Sequence, residues 1–167
     1  CVSPAGVGGC AVANGRIAID ALDLADFASG VAAVEEELGP RWVVWSQSTA
    51  GVLASAGVRL ARAWDIVAAH RLIEGGWSSD PGEIWARLEG LPVESLPVER
   101  PPDLFHQVDP DDVGTDPIGP DGYLRPDWIG GAWQRCSDRA AAWAALALDV
   151  ADNQCAVLSA FPEPERA

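Results

Sequence analysis

The sequence contains neither lysine nor methionine, and each absence limits the interpretation. All eleven basic residues are arginine, against 25 acidic residues, so the formal net charge is −14. Proteins that bind nucleic acid neutralise phosphates with clustered lysine and arginine, so the chain as a whole is expected to repel nucleic acid. Because methionine is missing and the chain begins at Cys1, we expect it to be part of a longer product.

Closely spaced cysteines and long apolar runs are also missing. The four cysteines are Cys1, Cys10, Cys136 and Cys155. Without a C-x-x-C pair, this spacing argues against a zinc site and against a disulfide framework. No apolar run approaches the roughly 18 residues of a membrane span, and no signal peptide is recognisable. We therefore expect a cytoplasmic protein with reduced thiols and no membrane contact.

Residues 1–90 alternate between strand and helix patterns, which is typical of an α/β domain. The segment CAVANGRIAID, residues 10–20, predicts two short strands joined at Asn14-Gly15. Asp23 is positioned to cap a helix that stops at Gly39-Pro40. The apolar residues at helical spacing in that helix are Leu24, Phe27, Val31, Val34 and Leu38.

A second strand and helix follow directly. Residues 41–45, RWVVW, predict a buried strand, and a short helix is expected at about 48–56. Residues 58–64 alternate apolar side chains with Arg59 and Arg62, which predicts a half-buried strand with a basic outer face.

Two further helices have recognisable start and stop signals. Asp65 is expected to cap one that ends at Gly75-Gly76. The next begins at Asp80, with Pro81 at its first position and Glu83 completing a capping box. These signals are local, so they predict helix ends more sharply than periodicity does.

The composition changes sharply after residue 90. Residues 91–126 are dense in proline, aspartate and glycine without sustained periodicity, which indicates an extended acidic linker. Residues 127–161 then predict one long alanine- and tryptophan-rich helix or two stacked ones. The apolar stripe of this segment is Trp133, Cys136, Ala140, Trp143, Ala147 and Val150. Such a stripe needs a partner, either the first ninety residues or an absent downstream domain.

The run RWVVWSQSTAGVLASAGVRLARAWDIVAAHRLIEGG, residues 41–76, resembles the second-motif region of the 3′–5′ exonuclease domain in family A DNA polymerases. In that region a strand leads into a helix that carries an aspartate, followed by a glycine, a strand and another helix. The residues in equivalent places here are Gly57, Leu60, Trp64-Asp65 and Arg71-Leu72-Ile73. More closely, residues 35–75, and 110–165 loosely, are similar to the N-terminal part of actinobacterial bifunctional 3′–5′ exonuclease/DNA polymerase proteins. The resemblance implies a small degenerate ribonuclease H-like sheet with helices.

The carboxylates that such exonucleases use are missing here. The family holds two Mg²⁺ or Mn²⁺ ions with a D-x-E pair, a second-motif aspartate and a Y-x-x-x-D or H-x-x-x-D helix, because hard cations take carboxylate oxygens. No D-x-E occurs in the sequence, and Asp20 on the candidate first strand lacks its partner glutamate. Ser48 or Thr49 stands where the second-motif aspartate is expected.

The third motif is matched once, from Tyr123 to Asp127. Pro126 lies between them, so one regular helical face cannot present both groups. We therefore expect no catalytic residue, no metal site and no small-molecule cofactor. Mg²⁺ or Mn²⁺ would matter only if exonuclease activity survived.

Other constellations have simpler explanations. Residues 109–122 lack the oxygen ligands that a calcium loop needs at its fifth and twelfth positions, which favours a solvated linker. Ser48, His70 and Asp65 have the residue types of a catalytic triad, but no G-x-S-x-G elbow accompanies them. We therefore expect no triad. We expect His70 and His106 to face solvent, and the eight tryptophans to pack in the core or at an interface.

Two function hypotheses remain. The first is a non-catalytic exonuclease-like domain that docks on the downstream polymerase domain of the same protein, in replication or repair, and reaches DNA through that domain. Arg59 and Arg62, with Arg71, are then the candidates for a weak nucleic-acid contact. The second is a stand-alone acidic module that binds a protein partner through the tryptophan stripe of the last helix. A nuclease that uses other carboxylates is a third, less favoured alternative.

Overall fold

The computed structural model describes residues 24–98, 114, 116–135 and 137–161. They form a mixed α/β structure that is mostly helical and contains a two-stranded parallel sheet. The helices are α1 (Leu24–Leu38), α2 (Gln47–Ser55), α3 (Ile66–Glu74), α4 (Pro81–Leu88), α5 (Pro126–Ile129) and α6 (Ser137–Ser159). The strands are β1 (Trp42–Val44) and β2 (Ala63–Asp65), and 3-10 turns cover Val93–Ser95 and Ala132–Arg135. The hairpin predicted at 10–20 and the cap predicted at Asp23 lie outside the described residues.

Helices cover both faces of the small sheet. Trp42 of β1 packs on the apolar cluster that α1 and α2 form around Val31 and Leu53. Val43 and Trp45 pack on a second cluster that contains residues of α3, α4 and α6. Alternate residues of a strand point to opposite faces, so these two clusters lie on the two sides of β1. Burial on both faces is the usual condition for parallel strands.

The predicted strand at 58–64 is wrong in length, because β2 begins only at Ala63. Val58 is buried and Arg59 exposed, as the alternation indicated. The backbone before β2 is instead tied to the end of α1, where the Glu35 carboxylate accepts a 3.0 Å hydrogen bond from the Ala61 amide. That contact replaces strand pairing there.

The apolar stripe of α1 is shorter than the sequence pattern indicated. Phe27 and Val31 are buried, whereas Leu38 is 60% exposed. Leu38 is the last residue of the helix, where Gly39 turns the chain with a φ of 51°. The position therefore lies at the rim of the α1–α2 cluster rather than in it.

The predicted helix caps are confirmed, with one difference in the capping box. Asp65 caps α3 by accepting from the Ala68 amide at 2.9 Å, and Asp80 caps α4 by accepting from the Glu83 amide at 2.9 Å. The Glu83 carboxylate does not complete the box, because it accepts a 2.6 Å hydrogen bond from the Ser78 hydroxyl. The Ser78 oxygen in turn accepts from the Asp80 amide at 3.4 Å.

The described residues of the apolar stripe pack in the core or against it. Trp143 is 3% exposed and stacks on Trp45, the residue after β1, with ring centroids 4.9 Å apart. Trp128 and Trp133 each lie 6.3 Å from Trp143, centroid to centroid. α6 thus packs on β1, α3 and α4 together with residues 124–133. None of the described helices combines the length and the hydropathy needed to cross a bilayer.

Both described ends of the predicted linker contribute to the same body. Leu124 is completely buried and forms an isolated antiparallel bridge with Ile118. The Tyr123 hydroxyl donates to the Pro92 carbonyl at 3.0 Å, which joins the two ends of the segment. The division at 90 and 126 into domain, linker and helical segment stays a prediction.

Replacing Trp143 by alanine is expected to destabilise the fold strongly. Removing a buried aromatic side chain costs about 3–5 kcal/mol through lost burial and the cavity that remains. The matched control is Trp77→Ala, whose side chain is 87% exposed and whose loss is expected to change the free energy of unfolding by about 0.5 kcal/mol or less. Urea denaturation followed by circular dichroism measures both, and equal effects would contradict the placement of Trp143.

Candidate functional site

The turn between β1 and α2 is where the resemblance places a metal-binding aspartate. The structure presents Ser46 as the N-cap of α2, with an extended backbone and no side-chain capping bond. The hydroxyls of Ser46 and Ser48 lie 2.7 Å apart. Ser48 is exposed and Thr49 half-buried. The turn therefore offers hydroxyl groups, together with the amide side chain of Gln47.

These groups do not fit a pair of divalent ions. Mg²⁺ and Mn²⁺ need carboxylate oxygens, which hydroxyls do not replace. Asp65 lies on the neighbouring strand, in register with Val44, but its carboxylate caps α3. In the described ranges, no three histidine, cysteine, aspartate or glutamate side chains are grouped so that they could hold a metal ion. Asp20 lies outside the described residues.

The three arginines proposed for a weak nucleic-acid contact have different surroundings. Arg59 is exposed on the segment before β2. Arg62 donates to the carbonyl of Gly39, at the end of α1. Arg71 lies on α3 and donates to the carbonyl of Trp77 at 3.1 Å. Their common role in binding nucleic acid stays a prediction.

A polar network joins α3 to α4. Arg87 of α4 contacts Glu83 at 3.0 Å on its own helix and Glu74 of α3 at 3.6 Å. The Ser78 hydroxyl holds the pKa of Glu83 below its ordinary value, with Arg87 acting in the same direction and burial opposing both. The Glu83 carboxylate contacts Ser78 in the loop and Arg87 on α4, and Arg87 also contacts Glu74 on α3. These contacts connect the two helices and the loop between them.

His70 lies beside this network and is buried, so the expectation of a solvent-facing histidine is wrong at this position. It is 2% exposed on the face of α3 that also buries Ile66 and Val67. Burial lowers the pKa of His70, and the carboxylates of Glu74 and Glu83 counteract only part of that shift. The sequence carried a signal for this position, because His70 lies three and four residues after two apolar residues of one helix face. His106 lies outside the described residues.

Trp77 is the residue that sequence reasoning missed. It is 87% exposed in the loop between α3 and α4, after two glycines with positive φ, Gly75 and Gly76. The guanidinium of Arg71 lies over its ring, 5.7 Å from the centroid. The available signal was its position between a helix-ending glycine pair and a helix cap, outside every apolar stripe.

Cys155, on α6, is a free thiol. Arg41 donates to its sulfur at 3.5 Å and also lies over the ring of Trp64. This contact links the segment before β1 to α6. The other three cysteines lie outside the described residues.

Comparison with protein-family models, with curated proteins and with solved structures found no match to this chain.

The buried histidine predicts a pH dependence of stability. In the folded protein the pKa of His70 lies below its ordinary value of 6.5, so the unfolded chain binds the proton more readily. The free energy of unfolding is therefore expected to keep this contribution above about pH 6.5 and to lose it as the pH falls through the folded pKa. Urea denaturation at several pH values between 7.5 and 5 measures the free energy of unfolding and its dependence on pH.

His70→Gln is the matched variant for this measurement, because it keeps a polar side chain that does not titrate. We expect a flatter dependence of stability on pH in the variant than in the unchanged protein. An identical slope in both proteins would show that His70 does not carry the effect.

Proposed function

We propose that the chain is a non-catalytic 3′–5′ exonuclease-like domain of a DNA polymerase I-type protein, with a structural or docking role in DNA replication or repair. The observation that carries the proposal is the start of α2, which follows a partly buried parallel strand and has Ser48 and Thr49 instead of an acid. The order α1, β1, α2, β2, α3 supports it, because the second-motif region of the family has this alternation of strands and helices.

The proposal also specifies the type of sheet, which is a degenerate ribonuclease H-like sheet. Among the described residues β1 pairs with β2 alone, whereas sheets usually have about four to six strands. The strands predicted at residues 10–20 lie outside the described residues, so a larger sheet stays part of the proposal.

The partner in this proposal is the downstream polymerase domain of the same protein, in the cytoplasm. The net charge of −14 supports a role in which DNA is held elsewhere, because the domain as a whole repels phosphates. Any contact with DNA would then pass through the polymerase domain, with Arg59, Arg62 and Arg71 as weak local contributors.

The first test is an exonuclease assay. Purified protein with Mn²⁺ and a labelled single strand is expected to release no nucleotides, while an active proofreading exonuclease under the same conditions does. Degradation that depends on the divalent ion and is abolished by Asp20→Asn or Asp65→Asn would overturn the non-catalytic proposal. Asparagine also caps helices well, so Asp65→Asn separates loss of chemistry from loss of α3.

The second test concerns the free edge of β1. Trp42 donates its amide to the Arg62 carbonyl before β2, and successive residues of a strand direct their backbone groups to opposite edges. The Val43 amide therefore points to the other edge. We expect hydrogen exchange at this amide to be slow, because a ribonuclease H-like sheet has a further strand at this edge of β1.

The Val44 amide is the control in that experiment, because it faces β2 and should exchange slowly. Rapid exchange at Val43 would contradict a further strand at this edge.

A stand-alone acidic interaction module is the second candidate, and the exposure of Trp77 favours it. The tryptophan stripe of α6 cannot serve as its binding surface, because Trp143 lies in the core. The reading frame after Ala167 discriminates between the candidates, since a polymerase domain there would support the first.

A further inference from the structure

Trp77 is highly exposed and lies in a loop that is hydrogen-bonded to both flanking helices. Exposed tryptophan side chains are uncommon in folded proteins and mark interaction sites more often than other exposed residues do. The backbone carbonyl of Trp77 accepts from Arg71 at 3.1 Å, and the same guanidinium covers one side of its ring. In the same loop, the Ser78 hydroxyl donates to Glu83 of α4 at 2.6 Å. The loop that carries the indole is therefore tied to both flanking helices.

A second exposed apolar residue lies on the adjoining helix. Leu72 of α3 is 55% exposed, next to the arginine that covers Trp77. A loop that is already tied to its flanking helices needs less ordering on binding. The loop thus offers an apolar anchor in a hydrogen-bonded frame.

The charges around Trp77 decide between two classes of partner. An exposed indole can stack on a nucleic-acid base or on a cationic side chain. Three carboxylates, Glu74, Asp80 and Glu83, outnumber the two arginines, Arg71 and Arg87, around the loop. Glu74 contacts Arg87 and Asp80 caps α4, and both of these carboxylates stay exposed. Carboxylates repel phosphates and attract lysine and arginine, and the net charge of −14 acts in the same direction.

We propose that the α3–α4 loop is a docking site for a basic protein segment, whose lysine or arginine side chains stack on Trp77 and pair with the flanking carboxylates. The site extends beyond the proposed function, because it needs neither a polymerase domain nor an exonuclease-like sheet. Its occupant is a positively charged segment of another protein.

The test is a binding titration with a fluorescent ten-residue lysine peptide, followed by fluorescence polarisation at moderate salt. Trp77→Ala is expected to weaken binding about threefold to fivefold, which is the range of an exposed cation–π contact. Trp77→Phe should retain part of the affinity. Val98→Ala is the matched control, because Val98 is also exposed, at 83%, and lies outside the loop.

Two further measurements separate a docking site from general attraction to an acidic protein. The indole N–H signal of Trp77 should shift on addition of the peptide, while those of the buried tryptophans stay unchanged. Equal affinity of the unchanged protein and Trp77→Ala would overturn the proposal, as would an absence of binding. Binding of an oligo-deoxythymidine strand that is lost in Trp77→Ala would also overturn it, in favour of a nucleic-acid site.

Discussion

The stacking of Trp143 on Trp45 is the contact on which the described structure depends. It joins the first third of α6 to the residue after β1, and Trp128 and Trp133 complete the cluster. Gln154, about three turns further along α6, is fully buried and extends this attachment. Its side chain donates to the Ile66 carbonyl at 2.9 Å and accepts from the Trp64 indole at 3.0 Å. A sheet of two short strands would be marginal alone, so α6 supplies much of its burial.

This use of α6 determines which surfaces remain for a partner. The tryptophans of the stripe contribute to the core, whereas Trp77 is exposed between α3 and α4 and held there by Arg71. Residue type alone does not separate these roles, because tryptophan suits a core as well as a binding surface. The distinction arises from whether a second element covers the ring.

The absence of an acid at the β1–α2 turn, unlike the burial of a tryptophan, follows from residue type alone. The ability of a site to hold Mg²⁺ depends on the chemical type of its ligands, and Ser48 and Thr49 cannot supply carboxylate oxygens in any fold. The structure adds that Asp65, the carboxylate on the adjacent strand, is engaged as the cap of α3. A retained scaffold without its chemistry is consistent with both observations, since a fold can persist when its activity is lost.

Local signals in the sequence predicted α3 and α4 with their caps at Asp65 and Asp80, because a cap depends on a few neighbouring residues. The sequence alone also excluded a dense basic surface and a D-x-E pair. It could not determine the length of β2, the burial of His70 or the partner of α6. These depend on contacts between residues distant in the chain, such as Glu35 with Ala61 and Trp45 with Trp143. Only the tertiary structure decided them, because the burial of a side chain depends on what packs over it.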